Sequence, residues 1–106
     1  MREEILKTIN TFKSADPAAA EYKYLNGDCY VFAQALASKF NGEIFYLPID
    51  NHFIAQIDNN FYDIRGIVPT DGLDECYSWS LYQLMDPLDA DRVEYYCINN
   101  KNILSL

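Results

Sequence analysis

Apolar residues recur at helical spacing at Ile5, Leu6, Ile9 and Phe12, which predicts a first amphipathic helix over residues 2–13. The stretch "SADPAAAEYKY" breaks that pattern at Pro17 and reads as a short turn. A second helix is signalled far more clearly. "LNGD" offers Asn26 or Asp28 as an N-cap, and Cys29, Phe32, Ala33, Leu36, Ala37 and Phe40 then form one apolar stripe. Asn41 and Gly42 close it as a helix C-cap.

From Glu43 the period shortens. "EIFYLPI" is aromatic and branched and predicts a strand, with Pro48 near its end. "HFIAQI" and "FYDIRGIV" predict two more strands, joined as a hairpin through the polar "DNN". "PTDGLDE" reads as a loop, and "CYSWSLYQLM" as a short helix ending before Pro87. "RVEYYCI" predicts a last strand, and "NNKNILSL" a turn and tail. Helices followed by mostly antiparallel strands make an α+β fold, expected as one domain over residues 1–106.

Composition narrows the classes. Half the residues are hydrophobic and 15 % are aromatic, as a folded globule requires and a disordered chain does not. Eight basic against sixteen acidic residues give a net charge of −8. That balance argues against direct nucleic-acid binding and suits a basic protein surface as partner. No apolar run approaches the roughly 20 residues that span a bilayer. "MREEILKTINTF" also lacks the apolar core of a signal peptide, so no membrane association and a cytoplasmic location are expected.

Three cysteines, none in a C-x-x-C pair, fit reduced thiols rather than a disulfide framework. With the single histidine they match the ligand count of zinc but lack paired spacing. No metal and no cofactor is therefore expected. Cys76 and Cys97 read as structural, and Tyr62, Tyr95, Tyr96 and Trp79 as sheet and core residues.

Cys29, His52 and Asp63 occur in the order nucleophile, base and orienting acid, on a helix start and two neighbouring strands. A thiol at a helix N-terminus gains thiolate character from unpaired backbone N–H groups and the helix dipole. An imidazole takes its proton and returns it to a leaving group. A carboxylate on the far ring nitrogen fixes the tautomer. A turn through Asp58 and Asn59 sets Ile54 opposite Asp63, leaving His52 diagonal to Asp63 on the same face. A turn through Asn59 and Asn60 carries His52 two residues further away. Taken singly, Cys29 also suits a buried core position, and Asp63 also has Arg65 within reach.

"GDCYVFAQAL" and "HFIAQIDNNFYDIRG" resemble the Cys-helix and the following hairpin of the papain-like superfamily, especially its transglutaminase-like and NlpC/P60-like branches. The resemblance covers residues 22–67 and implies a Cys-bearing helix packed on an antiparallel sheet. It implies Cys29 as nucleophile, His52 as general base and acid, and Asp63 as orienting residue. The oxyanion-hole Gln of papain-type peptidases has no counterpart in "EYKYLNGDC", where Tyr24 or Asn26 stands as the candidate donor. Asp28 beside the nucleophile disfavours a thiolate.

Two functions follow from these features. One is a thiol-dependent hydrolase or acyltransferase (peptidase, amidase or deamidase) working through a thioester on a protein, peptide or amide substrate. The other is a non-catalytic acidic partner-binding protein on a degenerate form of the fold, such as a phage or mobile-element inhibitor occupying a basic groove.

Overall fold

A computed structural model describes residues 2–13, 16–26, 28–69 and 75–99. Helices α1 (Arg2–Phe12), α2 (Pro17–Asn26) and α3 (Cys29–Phe40) precede strands β1 (Glu43–Leu47), β2 (His52–Ile57), β3 (Asn60–Asp63) and β4 (Gly66–Val68). The two-residue strand β5 (Tyr77–Ser78) leads into α4 (Trp79–Met85) and α5 (Pro87–Val93). A π-helical turn over Glu94–Asn99 ends the described chain. The fold is α+β. One sheet, ordered β4-β3-β2-β1-β5, is antiparallel at every pairing.

The α3 stripe is buried as its spacing requires. Cys29, Phe32, Ala33, Leu36 and Ala37 join Tyr46, Phe53, Ala55, Ile57 and Tyr62 in the main core, with Ile5 and Ile9 of α1. Strand alternation sends Leu47, Ile54 and Val68 into a smaller cluster on the other face. Asn41 ends α3 in the left-handed region (φ 56°), and the Gly42 N–H bonds the Ala37 carbonyl at 2.8 Å. Gly42 also lets α3 approach β2: a Cβ there would collide with the Gln56 carbonyl oxygen.

Three sequence-based expectations are corrected. Residues 17–26 form a full helix rather than a short turn, because Pro17 occupies the first helical position and Asp16 Oδ1 accepts the Ala19 N–H at 3.2 Å. "RVEYYCI" is helical, not a strand. Asp86 and Pro87 repeat the same start signal, with Asp86 Oδ1 accepting the Asp89 N–H at 3.2 Å. Ala90 and Val93 are buried and Cys97 is half-buried, a helical spacing, while Tyr95 and Tyr96 are exposed. "FYDIRGIV" is two strands, not one. The chain turns at Ile64–Arg65, where Asp63 Oδ1 accepts the Arg65 backbone N–H at 2.8 Å and Gly66 takes a φ of +114°.

"CYSWSLYQLM" begins with β5 before its helix, and Ser78 Oγ caps α4 by accepting the Leu81 N–H at 3.2 Å. Most of the "PTDGLDE" loop (residues 70–74) and the tail from residue 100 lie outside the described residues.

Candidate active site

The β2–β3 hairpin turns through Asp58 and Asn59, pairing Ile57 with Asn60, Gln56 with Phe61 and Ala55 with Tyr62. Asp58 takes a positive φ of 55° to do so. This register places Ile54 level with Asp63, so His52 and Asp63 project from one face. Strand twist closes the diagonal. His52 Nε2 lies 3.1 Å from Asp63 Oδ2, and both side chains are buried.

Asp63 carries more than the imidazole. Arg65 grips it through its guanidinium, with Nη2 at 2.6 Å and Nε at 3.1 Å from Oδ2. The pairing with Arg65 and the contact with His52 coexist on one carboxylate. Burial opposes ionisation of Asp63, but the bonds from His52 and Arg65 outweigh it and hold the carboxyl down at about 2. Its negative charge is therefore permanent at neutral pH.

The opposite ring nitrogen, Nδ1, is buried and makes no hydrogen bond of ordinary geometry among the described residues. It is the nitrogen left for the Cys29 thiol, which heads α3. Burial raises the thiol pKa, yet the His52 ring and the backbone N–H groups of Phe53 and Tyr30 bring it below its ordinary value. Burial likewise lowers the imidazole, while Asp63 and then Cys29 push it up to about 9. Among the described residues, only the Asp63 side of the ring makes a hydrogen bond of ordinary geometry, at 3.1 Å. Cys29 and His52 nonetheless each favour the charged form of the other.

Cys29 is only 5 % exposed and belongs to the main core. Burial alone does not separate a core-filling cysteine from a reactive thiol, but an ionisable neighbour such as His52 is absent from a purely apolar core. The helix start adds to its effect. Asp28 occupies the N-cap position, and its carbonyl accepts the Phe32 N–H at 3.1 Å. Its side chain makes no cap bond and lies 3.7 Å from Lys23 Nζ. The first-turn amides of α3 thus keep their field for the thiol, and the Asp28 charge is partly met by a lysine.

Of the two candidate oxyanion donors, Tyr24 packs its ring against Phe12 and Phe32 at centroid distances of 5.6 and 5.4 Å. Asn26 is the last residue of α2, and its side chain lies outside the described residues. Arg65 is the participant that sequence reasoning undervalued, although its spacing of two from Asp63 was the signal.

A cleft of about 310 Å³ opens at His52, lined by Leu25, Leu47, Asp50, Arg65 and Val68. A larger cavity of about 440 Å³ lies at the other end of α3, beside Ser38, Asn41 and Trp79. Neither thiol nor imidazole lines it, whereas the imidazole, though not the thiol, lines the smaller cleft. Cys76 is half-buried near the smaller core cluster. Cys97 lies in the π-helical turn, where Asn51 Nδ2 points at its sulfur from 3.7 Å. Among the described residues, no three His, Cys, Asp or Glu side chains gather as a metal site. No described helix is long and apolar enough to cross a membrane.

The family model described as "Phage YunG-like protein" matches residues 5–103, nearly the whole chain. The chain belongs to that family. No curated protein and no solved structure gives a significant match.

Proposed function

We propose that this phage YunG-like protein is a thiol-dependent hydrolase or acyltransferase of papain-like or transglutaminase-like kind, with Cys29, His52 and Asp63 as its triad. The observation that carries the proposal is the buried 3.1 Å contact from Asp63 to His52, whose other nitrogen is left for the Cys29 thiol. A carboxylate on one side of a buried imidazole and a thiol on the other is the arrangement that a Cys-His-Asp proton relay requires.

In the reaction so supported, Cys29 Sγ attacks an amide carbonyl carbon, forming the S–C bond. The first-turn N–H of Cys29 is the donor this proposal assigns to the developing oxyanion. His52 gives its proton to the leaving nitrogen as the C–N bond breaks, and a thioester remains. Water or an amine then adds with His52 as base, releasing the acyl product and restoring the thiol. Asp63 holds the ring throughout and stays ionised.

The testing experiment is alkylation at neutral pH. Iodoacetamide should modify Cys29 faster than a free thiol, and His52→Ala should remove that advantage. Equal rates in both proteins would leave the proposal without support.

A specific observation favours a second reading, the acidic partner-binding protein. Leu81, Leu84, Met85 and Leu88 are exposed at the α4–α5 corner, the two leucines at 84 and 88 by 81 % and 83 %. Asp86, Asp91 and Glu94 follow closely along the chain, and the whole molecule carries −8. An apolar patch with an acidic rim suits a basic partner.

A further inference from the structure

The cleft at His52 has a divided lining. Leu25, Leu47 and Val68 give it an apolar floor, and Asp50 and Arg65 stand at its edge. The charges do not cancel. Two nitrogens of Arg65 are spent on Asp63. Asp50 is exposed and acts on the Arg65 guanidinium through its charge. Glu21 acts on Arg65 from α2, four residues before Leu25 and so on the same helical face. The opening to the imidazole is thus apolar below and acidic at the rim.

We infer that this cleft takes a peptide segment with an apolar side chain beside a basic one, the apolar group seated on Leu25, Leu47 and Val68 and the cation on Asp50. The inference rests on the proposed thiol chemistry for which bond reacts, but not for what binds. A cavity of about 310 Å³ holds one medium side chain with its flanking backbone and not a folded partner. An acidic segment would face Asp50 and Glu21, with Arg65 already engaged. Selection therefore acts through attraction at the rim and burial at the floor.

The test uses full-length Cys29→Ala protein, which cannot turn over, labelled with ¹⁵N and titrated with three capped dipeptide amides: Lys-Leu, Glu-Leu and Lys-Gly. Lys-Leu should perturb the amides of Leu47, Asp50, His52 and Val68. It should bind about two- to fivefold more tightly than Glu-Leu, the scale of one exposed charge pair. Lys-Gly should bind more weakly than Lys-Leu. Asp50→Asn, at an exposed position that leaves the fold intact, should bring Lys-Leu and Glu-Leu together.

Equal affinities before that substitution, perturbations mapping elsewhere, or no binding would each overturn the inference. Reactivity of Cys29 in the unsubstituted protein is scored separately with iodoacetamide. Selective binding beside an unreactive thiol would sink the catalytic proposal alone.

Discussion

Asp63 and His52 face each other across the β2–β3 hairpin at 3.1 Å, and the acid is also clasped by Arg65. Removing the carboxylate leaves a buried imidazole without its partner. Asp63→Ala should cost about 3 kcal/mol, the lower end for breaking a buried pair, because the half-exposed Arg65 turns to water at little cost. Chemical denaturation measures it. A loss under 1 kcal/mol would mean that the contact contributes little to the fold.

The thiol should titrate below its usual range. Alkylation of Cys29 against pH should show its inflection below 9.0, and His52→Ala should move the inflection upward. An unchanged profile would show that the imidazole does not reach the sulfur.

Stability should carry the sign of both shifts. His52 has its folded value raised from 6.5 to about 9, so its contribution is complete below 6.5 and disappears as pH rises through 9. Asp63 is depressed from 3.8 to about 2, so its contribution is complete above 3.8 and disappears as pH falls through 2. In Cys29→Ala protein, where the thiol no longer titrates, the raised His52 value rests on Asp63 alone. Denaturation midpoints there should be highest between about pH 4 and 6.5 and decline on the alkaline side. Adding His52→Ala should flatten that alkaline decline.

Much of this site was legible before any coordinates. The α3 stripe fixed which face is buried, since Cys29, Phe32, Ala33, Leu36 and Ala37 all fell on it. The hairpin reduced to two registers, and the observed one is the register that brings His52 to Asp63. Local signals misled where two of them competed. At 16–17 and 86–87 the Asp-Pro pair marks a helix start, yet the proline weighed more heavily as a breaker. In "RVEYYCI" the aromatic composition masks the helical spacing that Val93 and Cys97 continue from Ala90. In "FYDIRGIV" apolar continuity hid a turn made by the Asp63 side chain itself. The cleft was out of reach altogether, because Leu25, Leu47 and Val68 come from three separate elements.

Gly42 offers a check on how α3 is held. Gly42→Ala should destabilise by about 1–3 kcal/mol, the range for overpacking, since the new methyl group meets the β2 backbone. A neutral result would show that the helix end can slide away from the strand.

The α4–α5 corner should tolerate charge. Leu84→Lys with Leu88→Lys should leave the melting temperature within a few degrees, both positions being solvent-facing. Loss of a basic partner from that double variant, with Cys29→Ala still binding it, would favour the second reading over the first.

Arg65 has one further consequence. Its guanidinium is 55 % exposed, while the carboxylate it clasps is 1 % exposed. The deepest member of the trio is thereby coupled to bulk electrolyte through a single side chain on the surface. Added salt therefore acts on the outer, exposed partner first, while the inner bond to the imidazole is screened much less.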